Sequence, residues 1–548
     1  MVSNAPELTA LATRPGAPHP SWRPARTRPP ARLVATSLVI AALFAAPLAY
    51  LVWENLSRGT DLLETLRKER ALDPLRRTLV LGVGVSLSTV VIGTALAWLV
   101  VRTDLPGRRV WRLVAPLPLV IPSFVGALSL LAAFAPGGLA DELLSPLGLD
   151  RMPRIEGLRG AVLVLTLLTY PYVYLPVSAR LAALPPSLEE SARSLGRSPW
   201  GVFRTIVMPQ ISGAVWAGAL LVFLYSLSEF GAVQLLHYDT LTRAIYSARL
   251  FDRDVSLALS LVLGAVALTV VAVERRVAAR RSRTEATGAG GSTLQAPLGR
   301  WKAPALALVS LVVGLAVVAP VAVLVHWVVR GAAGDANLDL AGLLDPAIAT
   351  GLLGIVTAVA ALAVVLPVAY LTARHRSLPG GVSNGLVVSG FALPGIVVAI
   401  AFVAMVLAVP GIDRLYQTYT LLVVAYVVHF GSQSMRAAQV AVDGVPRRVE
   451  DAARSLGAGR ARRLLTIELP LMRGGLAAGA GLVLLSTMKE LPATLVLRPI
   501  GTETLATQVW AASSEGFYAQ AGLAALVLLS ISGLLTWFLT VRNLERSQ

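Results

Sequence analysis

The stretch EDAARSLGAGRARRLLTIELPLM, residues 450–472, nearly repeats an earlier stretch, EESARSLGRSPWGVFRTIVMPQI, residues 189–211. The two align without a gap at an offset of 261 residues and share Arg-Ser-Leu-Gly, then Thr-Ile, then Pro. The match continues through small residues as far as Glu229 in the first copy and Glu490 in the second. A match of this length indicates that the chain is a tandem repeat.

The composition predicts a polytopic membrane protein. The 548 residues are 55% hydrophobic and 14% charged, with a mean hydropathy of +0.69. That is more apolar surface than one soluble core can bury. Runs of roughly 18 or more apolar residues are long enough to cross a bilayer as helices. We expect the first run to be a retained span and not a signal peptide. Twelve such runs occur, near residues 33–53, 78–101, 112–135, 159–179, 212–236, 255–273, 303–329, 347–371, 384–409, 419–440, 474–497 and 519–541.

The twelve runs divide into two sets of six. We therefore predict an all-α transmembrane fold of two parallel six-span repeats, with one copy of the repeated stretch between the fourth and fifth span of each. A segment rich in Arg, Gly and Ser separates the sets and is typical of a flexible linker. The predicted domains are a tail (1–31), a first repeat (32–274), a linker (275–302) and a second repeat (303–548).

The net charge of +17 is distributed unevenly. Arg and Lys concentrate in the N-terminal tail, in both repeated stretches and in the linker, which would all lie on one side of the membrane. By the positive-inside rule, that side is the cytoplasm, and both termini lie there. No basic stripe with interleaved aromatic residues is present, so nucleic acid is not an expected partner.

Several kinds of chemistry are excluded by residue types. The chain has no cysteine, which rules out thiol catalysis and Cys-based metal sites. Its five histidines lie far apart, so no metal site is predicted. None of the lysines, Lys68, Lys302 and Lys489, stands in a Gly-Lys-Ser/Thr phosphate loop, so the chain is not itself a P-loop ATPase. We find no catalytic cluster and expect neither enzymatic activity nor a cofactor.

Each repeated stretch is typical of a short helix, a glycine break and a second helix. Ser187 and Glu190 have the spacing of a capping box. Gly196 and Gly457 stand where a helix end favours a left-handed residue. Ser198 followed by proline is suited to begin the next helix. Ala192 and Ala453 would leave a flat place where another surface can approach closely.

This pattern resembles the EAA motif, E-A-A-x-x-x-G-x(9)-I-x-L-P, of the permease subunits of binding-protein-dependent ABC importers in a duplicated form. Ser191 and Met208 depart from it in the first copy, and Asp451 replaces Glu in the second. The resemblance covers nearly the whole chain. It implies that both loops couple the permease to ATPase subunits, through Glu190, Ala192, Gly196, Ile206 and Pro209 in the first copy and Asp451, Ala453, Gly457, Ile467 and Pro470 in the second.

The same resemblance implies partners and a mechanism. Two copies of a cytoplasmic ATPase would dock on the two loops, an extracytoplasmic binding protein would deliver the solute, and the chain would lie in a prokaryotic inner membrane. ATP binding would draw the loops together and rock the halves. Residues 226–236 and 486–510 are similar to fused ferric-iron permeases. Related fused permeases import thiamine, sulfate or phosphonates, so these solutes remain alternatives.

Glu229 and Glu490 occupy equivalent places in the fifth and eleventh spans. A carboxylate inside a membrane is costly and commonly faces a pathway, so both are predicted to line the translocation path. Alternatively, Glu490 is structural and pairs with Lys489 or an outer-loop arginine. An ion-driven secondary transporter is a further alternative, because duplicated halves also occur there. Such a protein, however, has no use for two docking loops on one face.

Overall fold

The computed structural model describes residues 29–57, 69–136, 138–145, 154–281, 296–334, 338–375 and 377–544. Within these ranges the chain is helical and contains no strand, and its one β-bridge joins Thr103 to Ala296. The expectation of an all-α membrane fold is confirmed. Most of the tail (1–31) and the middle of the linker (275–302) lie outside the described residues.

The α-helices fall into two series of similar order. The first series is α1 (Ala31–Ser57), α2 (Glu69–Arg102), α3 (Arg108–Val114), α4 (Ser123–Ala133), α5 (Leu139–Leu144), α6 (Gly157–Thr169), α7 (Pro171–Ala182), α8 (Pro186–Ser194), α9 (Pro199–Val202), α10 (Met208–Ser228), α11 (Gly231–Leu235), α12 (Leu241–Ala248) and α13 (Arg253–Arg281). The second is α14 (Lys302–Val313), α15 (Ala319–Ala333), α16 (Leu344–Arg374), α17 (Leu378–Ser389), α18 (Gly395–Ala408), α19 (Tyr419–Asp443), α20 (Arg447–Ser455), α21 (Arg460–Arg463), α22 (Leu469–Met488), α23 (Pro492–Leu497), α24 (Leu505–Ser514) and α25 (Tyr518–Leu544).

Shorter turns connect some of these helices. Among the described residues, three of these turns are π-helical: Phe203–Val207, Gly314–Val318 and Leu464–Glu468. In the same ranges, five are 3-10 turns: Leu117–Val120, Gly299–Trp301, Ala341–Leu343, Gly390–Ala392 and Asp413–Leu415.

The spans are less uniform than their hydropathy suggests. Among the described residues, nine helices are long and apolar enough to cross a membrane, and two further candidates are helix pairs bent by 100° and 109°. The predicted spans 112–135 and 384–409 are these bent pairs. The bends occur at Pro122 and Pro394, whose rings cannot continue a helix. The predicted span 419–440 is the helix α19. It is counted neither among the nine helices nor among the bent pairs, because polar residues such as Gln433 lower its mean hydropathy.

The two halves exchange their first spans. Helix α1 packs against α16, α17 and α18 of the second half, and the Tyr50 hydroxyl donates to the Ala404 carbonyl at 3.0 Å. In return, α15 packs against α4 of the first half, and residues of α14 such as Val309 are buried in the core of that half. Each half is therefore held by a helix from the other.

Equivalent hydrogen bonds show the duplication in three dimensions. The Leu241 amide at the start of α12 donates to the Thr78 hydroxyl at 2.9 Å. The Leu505 amide at the start of α24 donates to the Thr350 hydroxyl, also at 2.9 Å. In both halves a threonine on a long span thus satisfies a free N–H group at the start of a short helix.

The end of the linker is attached to the loop that follows α2. The Ala296 amide donates to the Arg102 carbonyl at 2.8 Å, and the Leu298 amide donates to Asp104 at 2.8 Å. The Lys302 ammonium lies 2.8 Å from the same carboxylate. The Lys302 side chain and the Leu298 amide hold the pKa of Asp104 below its ordinary value. This contact joins the start of the second half to the first.

Candidate functional site

The repeated stretches form two similar loops, which we name the first repeat loop (185–211) and the second repeat loop (446–472). Helices α8 and α20 end at Ser194 and Ser455, and Gly196 and Gly457 follow two residues later with φ of +79° and +76°. The Arg197 amide donates to the Ala192 carbonyl at 3.2 Å, and the second repeat loop has the equivalent bond at 3.0 Å. Both helices therefore end in a Schellman motif, which confirms the left-handed glycines.

The outward surfaces of the repeat loops match each other. Glu190 and Asp451 are exposed. The Leu195 and Leu456 side chains, each next to the helix-ending glycine, are 82% and 88% exposed. Each loop thus presents an acidic residue and a protruding leucine on the outside of a short helix.

The alanines of the repeated pattern, in contrast, are buried. Ala192 and Ala453 are each 6% exposed. The sequence predicted a flat place that another surface can approach closely, and in this structure other residues of the chain cover both alanines. Ala192 and Ala453 therefore position the short helices against the body of the protein.

One of the predicted helix caps is wrong. Helix α8 begins at Pro186, its N-cap is Pro185, and no side chain caps it, so Ser187 lies inside the first turn. Proline is favoured at this position because its φ is already helical and it has no N–H group to satisfy. The next start is as predicted, because the Gly201 amide donates to the Ser198 hydroxyl at 3.2 Å.

The prolines of the pattern follow π-helical turns. Ile206 lies in the turn Phe203–Val207 and Ile467 in Leu464–Glu468, and Pro209 and Pro470 come two residues after these turns. A proline ring clashes with the carbonyl four residues before it. A wider π turn accommodates that carbonyl, so the proline sets the local geometry. The same arrangement precedes Pro320.

Each repeat loop is also joined to a long span by an ion pair that sequence reasoning missed, buried in the first half and part-buried in the second. Arg102, the last residue of α2, pairs with Glu189. Arg374, the last residue of α16, pairs with Glu450. Burial raises the pKa of Glu450, and the charge of Arg374 opposes that shift. The alignment of Glu189 with Glu450 was visible in the sequence, but their arginine partners are distant along the chain.

Glu229 and Glu490 do not lie within helices as the span prediction implied. Helix α10 ends at Ser228 and α22 at Met488, so both carboxylates stand at breaks before the short helices α11 and α23. At each break the backbone groups of the broken helix need other partners. The two glutamates supply some of them.

The glutamates bind free N–H groups of these short helices. Glu229 accepts hydrogen bonds from the Ala232 amide at 2.9 Å and from the Ser123 hydroxyl at 3.0 Å. Glu490 accepts one from the Ala493 amide at 2.9 Å. A Cβ on Gly395, at the start of α18, would lie 2.6 Å from the Glu490 carboxylate. In both halves the carboxylate thus lies between the starts of two helices, where N–H groups favour negative charge.

The two breaks adjoin one another at the seam between the halves. A Cβ on Gly231, two residues after Glu229, would lie 3.5 Å from the side chain of Leu491, which directly follows Glu490. Lys489 does not serve as an ion-pair partner of Glu490, because its ammonium donates to the Leu119 carbonyl of the first half at 2.8 Å. Within the described ranges, no group of three or more His, Cys, Asp or Glu could hold a metal ion.

These features define a duplicated membrane protein with two matched loops and with two helix breaks that adjoin where its halves meet. Residues 89–283 and 365–548 match the family described as the binding-protein-dependent transport system inner membrane component. The chain belongs to this family, and it is a permease of binding-protein-dependent transport.

Relatives in this family differ in how much of the chain they match. The Fe(3+)-transport system permease protein FbpB 2 of Haemophilus influenzae is 30% identical over 518 residues, 92% of this chain and 97% of that protein. The sulfate transport system permease protein CysT of Escherichia coli is 31% identical over 170 residues, 31% of this chain and 60% of its own length. The molybdenum transport system permease protein ModB of Escherichia coli is 33% identical over 165 residues, which are 29% of this chain and 71% of that protein.

Proposed function

We propose that this permease carries ferric iron across a prokaryotic inner membrane. An extracytoplasmic binding protein delivers the iron, and two copies of a cytoplasmic ABC ATPase drive the transport. The observation that carries the proposal is the length of the match to the Fe(3+)-transport permease, which spans both halves. The sulfate and molybdenum permeases match less than a third of this chain.

The two repeat loops are the proposed docking sites for the ATPases. Support comes from their similarity in structure, from the exposed Leu195 and Leu456, and from the positive charge around them, which indicates the cytoplasmic side. On this proposal both termini are cytoplasmic, and residues 275–302 link two functional halves, 32–274 and 303–548. Each ATPase would contact the acidic residue, the leucine and the glycine turn of one loop.

Glu229 and Glu490 are proposed to line the path of the iron. Both carboxylates lie at helix breaks, and these breaks adjoin at the seam between the halves. A ferric ion gains from a nearby carboxylate, and a sulfate ion is repelled. At 4 Å and an effective dielectric constant near 20, this amounts to about 4 kcal/mol per pair of unit charges.

Import of an oxyanion such as sulfate is the competing function. It is favoured by the half-length relatives and by Lys489, which places a cation beside Glu490. The Lys489 ammonium, however, donates to the Leu119 carbonyl of the first half, and no ion pair joins it to Glu490 among the described residues. Thiamine and phosphonates remain alternatives of the same architecture.

The double variant Glu229→Gln with Glu490→Gln tests the proposed path. Glutamine keeps an oxygen that can accept from the Ala232 and Ala493 amides, so the helix starts remain capped while the charge is removed. We expect the initial rate of iron uptake to fall several-fold, with ATPase association unchanged. Iron uptake at the wild-type rate would mean that both glutamates only cap helices. Glu142→Gln, in an exposed ion pair with Arg330, is the matched control.

A further inference from the structure

Two ion pairs, one buried and one part-buried, connect the repeat loops to long spans that are not their neighbours in sequence. The side chains of Arg102 and Glu189 are 1% and 5% exposed, and those of Arg374 and Glu450 are 9% and 14% exposed. The ion pairs are equivalent, because each joins the last residue of a span to the first turn of a repeat-loop helix. The duplication has preserved this contact in both halves.

Each arginine holds a third segment as well. Arg102 donates to the Leu181 carbonyl at 3.4 Å, near the end of α7. Arg374 donates to the Val445 carbonyl at 2.8 Å, just after α19. A single guanidinium therefore binds the end of its own span, the segment that leads into the repeat loop, and the repeat-loop helix. Arginine suits this task because its donors form a rigid planar fork.

The surroundings of the two ion pairs differ. Arg102 lies 6.0 Å from the Trp98 ring, which packs edge to face on Phe203 at 5.0 Å. Around Arg374, the Tyr370 hydroxyl instead donates to Glu468 at 2.5 Å. Phe203 and Glu468 both belong to the π turns that precede α10 and α22. In the first half, the aromatic contact of Trp98 with Phe203 places the ion pair next to the start of α10. In the second half, the hydrogen bond of Tyr370 to Glu468 places the ion pair next to the start of α22.

A buried ion pair is weak evidence for stability. Removing two charges from water costs several kcal/mol per ion, and well-packed apolar side chains of similar volume often stabilise a protein equally or better. Two equivalent ion pairs therefore call for another role. Unlike an apolar contact, a hydrogen-bonded guanidinium fixes the orientation of the helices that it joins.

We propose that Arg102–Glu189 and Arg374–Glu450 are joints that pass the displacement of each repeat-loop helix to α2 and α16. The proposal rests on the proposed docking of ATPases at the repeat loops. Helix α2 packs along α10, and α16 along α22. A displacement of α8 or α20 thereby reaches the helices whose ends carry the breaks at Glu229 and Glu490. The four residues are positioning residues, and they contact neither nucleotide nor solute.

A double substitution distinguishes an ion pair that transmits movement from one that only stabilises the fold. In Arg102→Met with Glu189→Met, the methionines fill the site without charge, so the variant is expected to fold and insert. We expect it to bind an added ABC ATPase subunit as the wild type does. Because the chain has no native cysteine, spin labels can be placed on cysteines at Leu250 and Ile500, which are 73% and 87% exposed. Leu250 follows α12 and Ile500 follows α23, so the distance between these labels reports movement outside the repeat loops.

In the wild-type complex, ATP should change the distance between the labels, and in the methionine double variant that change should be lost or reduced at least several-fold. The single variant Arg102→Lys keeps the charge and should therefore retain part of the ATP-dependent change in distance. If ATP changes the distance between the labels in the methionine double variant as much as in the wild type, the proposal that the ion pair transmits movement is wrong. If the wild-type chain binds no ATPase, the proposed function falls first, so the two failures are distinguishable. Glu142→Gln serves as the control and should leave the change intact.

Discussion

The ammonium group of Lys489 donates a hydrogen bond to the main-chain carbonyl of Leu119 at 2.8 Å. Lys489 follows α22 in the second half, and Leu119 lies in the turn before α4 in the first. The bond therefore crosses the seam between the halves close to the helix breaks. It stabilises the arrangement of the halves seen here relative to any arrangement in which they separate at this level.

Lys489→Met removes this hydrogen bond between the halves and should therefore shift the equilibrium toward arrangements in which the halves are separated at this level. A hydrogen bond to a charged group contributes about 1.5–3 kcal/mol, so its loss shifts the balance between arrangements by roughly tenfold or more. We expect ATP hydrolysis by the assembled transporter, measured without its binding protein, to rise several-fold. Arg76→Met, which removes an exposed ion pair with Asp73 inside α2, is the control and should leave hydrolysis unchanged. An unchanged rate in Lys489→Met would show that the bond does not restrain the halves.

Gly196→Val and Gly457→Val should impair the repeat loops. Both glycines have positive φ, and a Cβ added at either would meet nothing within 4 Å, so the cost is in the backbone alone. A β-branched residue in the left-handed conformation costs about 1–2 kcal/mol. We expect ATPase association and transport to fall while membrane insertion persists.

Asparagine is the matched control for these glycines, because it adopts the left-handed conformation more readily than other residues with a Cβ. Gly196→Asn and Gly457→Asn should retain most of the ATPase association. If the valine variants associate and transport like the wild type, the turns are not required for docking.

The attachment of the linker end should weaken in acid. The pKa of Asp104 is lowered, chiefly by Lys302 and then by the Leu298 amide. Its contribution is thus present above the unfolded-state value of 3.8 and is lost as the pH falls through the folded-state pKa. Hydrogen exchange of the Leu298 amide, corrected for the intrinsic pH dependence, should therefore accelerate at low pH. Asp104→Asn should remove this pH dependence of exchange. If the exchange of the Leu298 amide in Asp104→Asn still depends on pH, Asp104 is not its cause.

The purified permease alone should hydrolyse no ATP. The chain has no Gly-Lys-Ser/Thr loop to bind phosphates. Phosphate release above background should appear only when an ABC ATPase subunit is added. Hydrolysis by the isolated chain, with contaminating ATPases excluded by immunodepletion, would contradict this division of labour.

The sequence was sufficient for features that depend on local chemistry. Hydropathy identified the membrane segments, and the repeat at residues 189–211 and 450–472 identified the two loops. Gly196 and Gly457 have the predicted left-handed conformation because the requirement for positive φ is local. The helix start at Ser187 was mispredicted, since the adjacent Pro186 competes for the same position.

Features that depend on distant contacts could not be predicted. Hydropathy averages over a window, so it treated the bends at Pro122 and Pro394 and the breaks at Glu229 and Glu490 as continuous helix. The pairing of Arg102 with Glu189 joins residues that are far apart in sequence, and no periodic pattern marks it. The exchange of first spans between the halves is likewise a matter of tertiary packing, as the bond from Tyr50 to the Ala404 carbonyl illustrates.

Uptake of radioactive ferric iron into proteoliposomes tests the central claim most directly. The vesicles would hold the permease with its ATPase and enclosed ATP, and the iron would be supplied on the binding protein. We predict that uptake requires ATP, persists after proton and sodium gradients are collapsed, and is not reduced by excess sulfate or molybdate. Uptake that continues without the ATPase and follows an ion gradient, or ATP-driven uptake of sulfate with none of iron, would contradict the account.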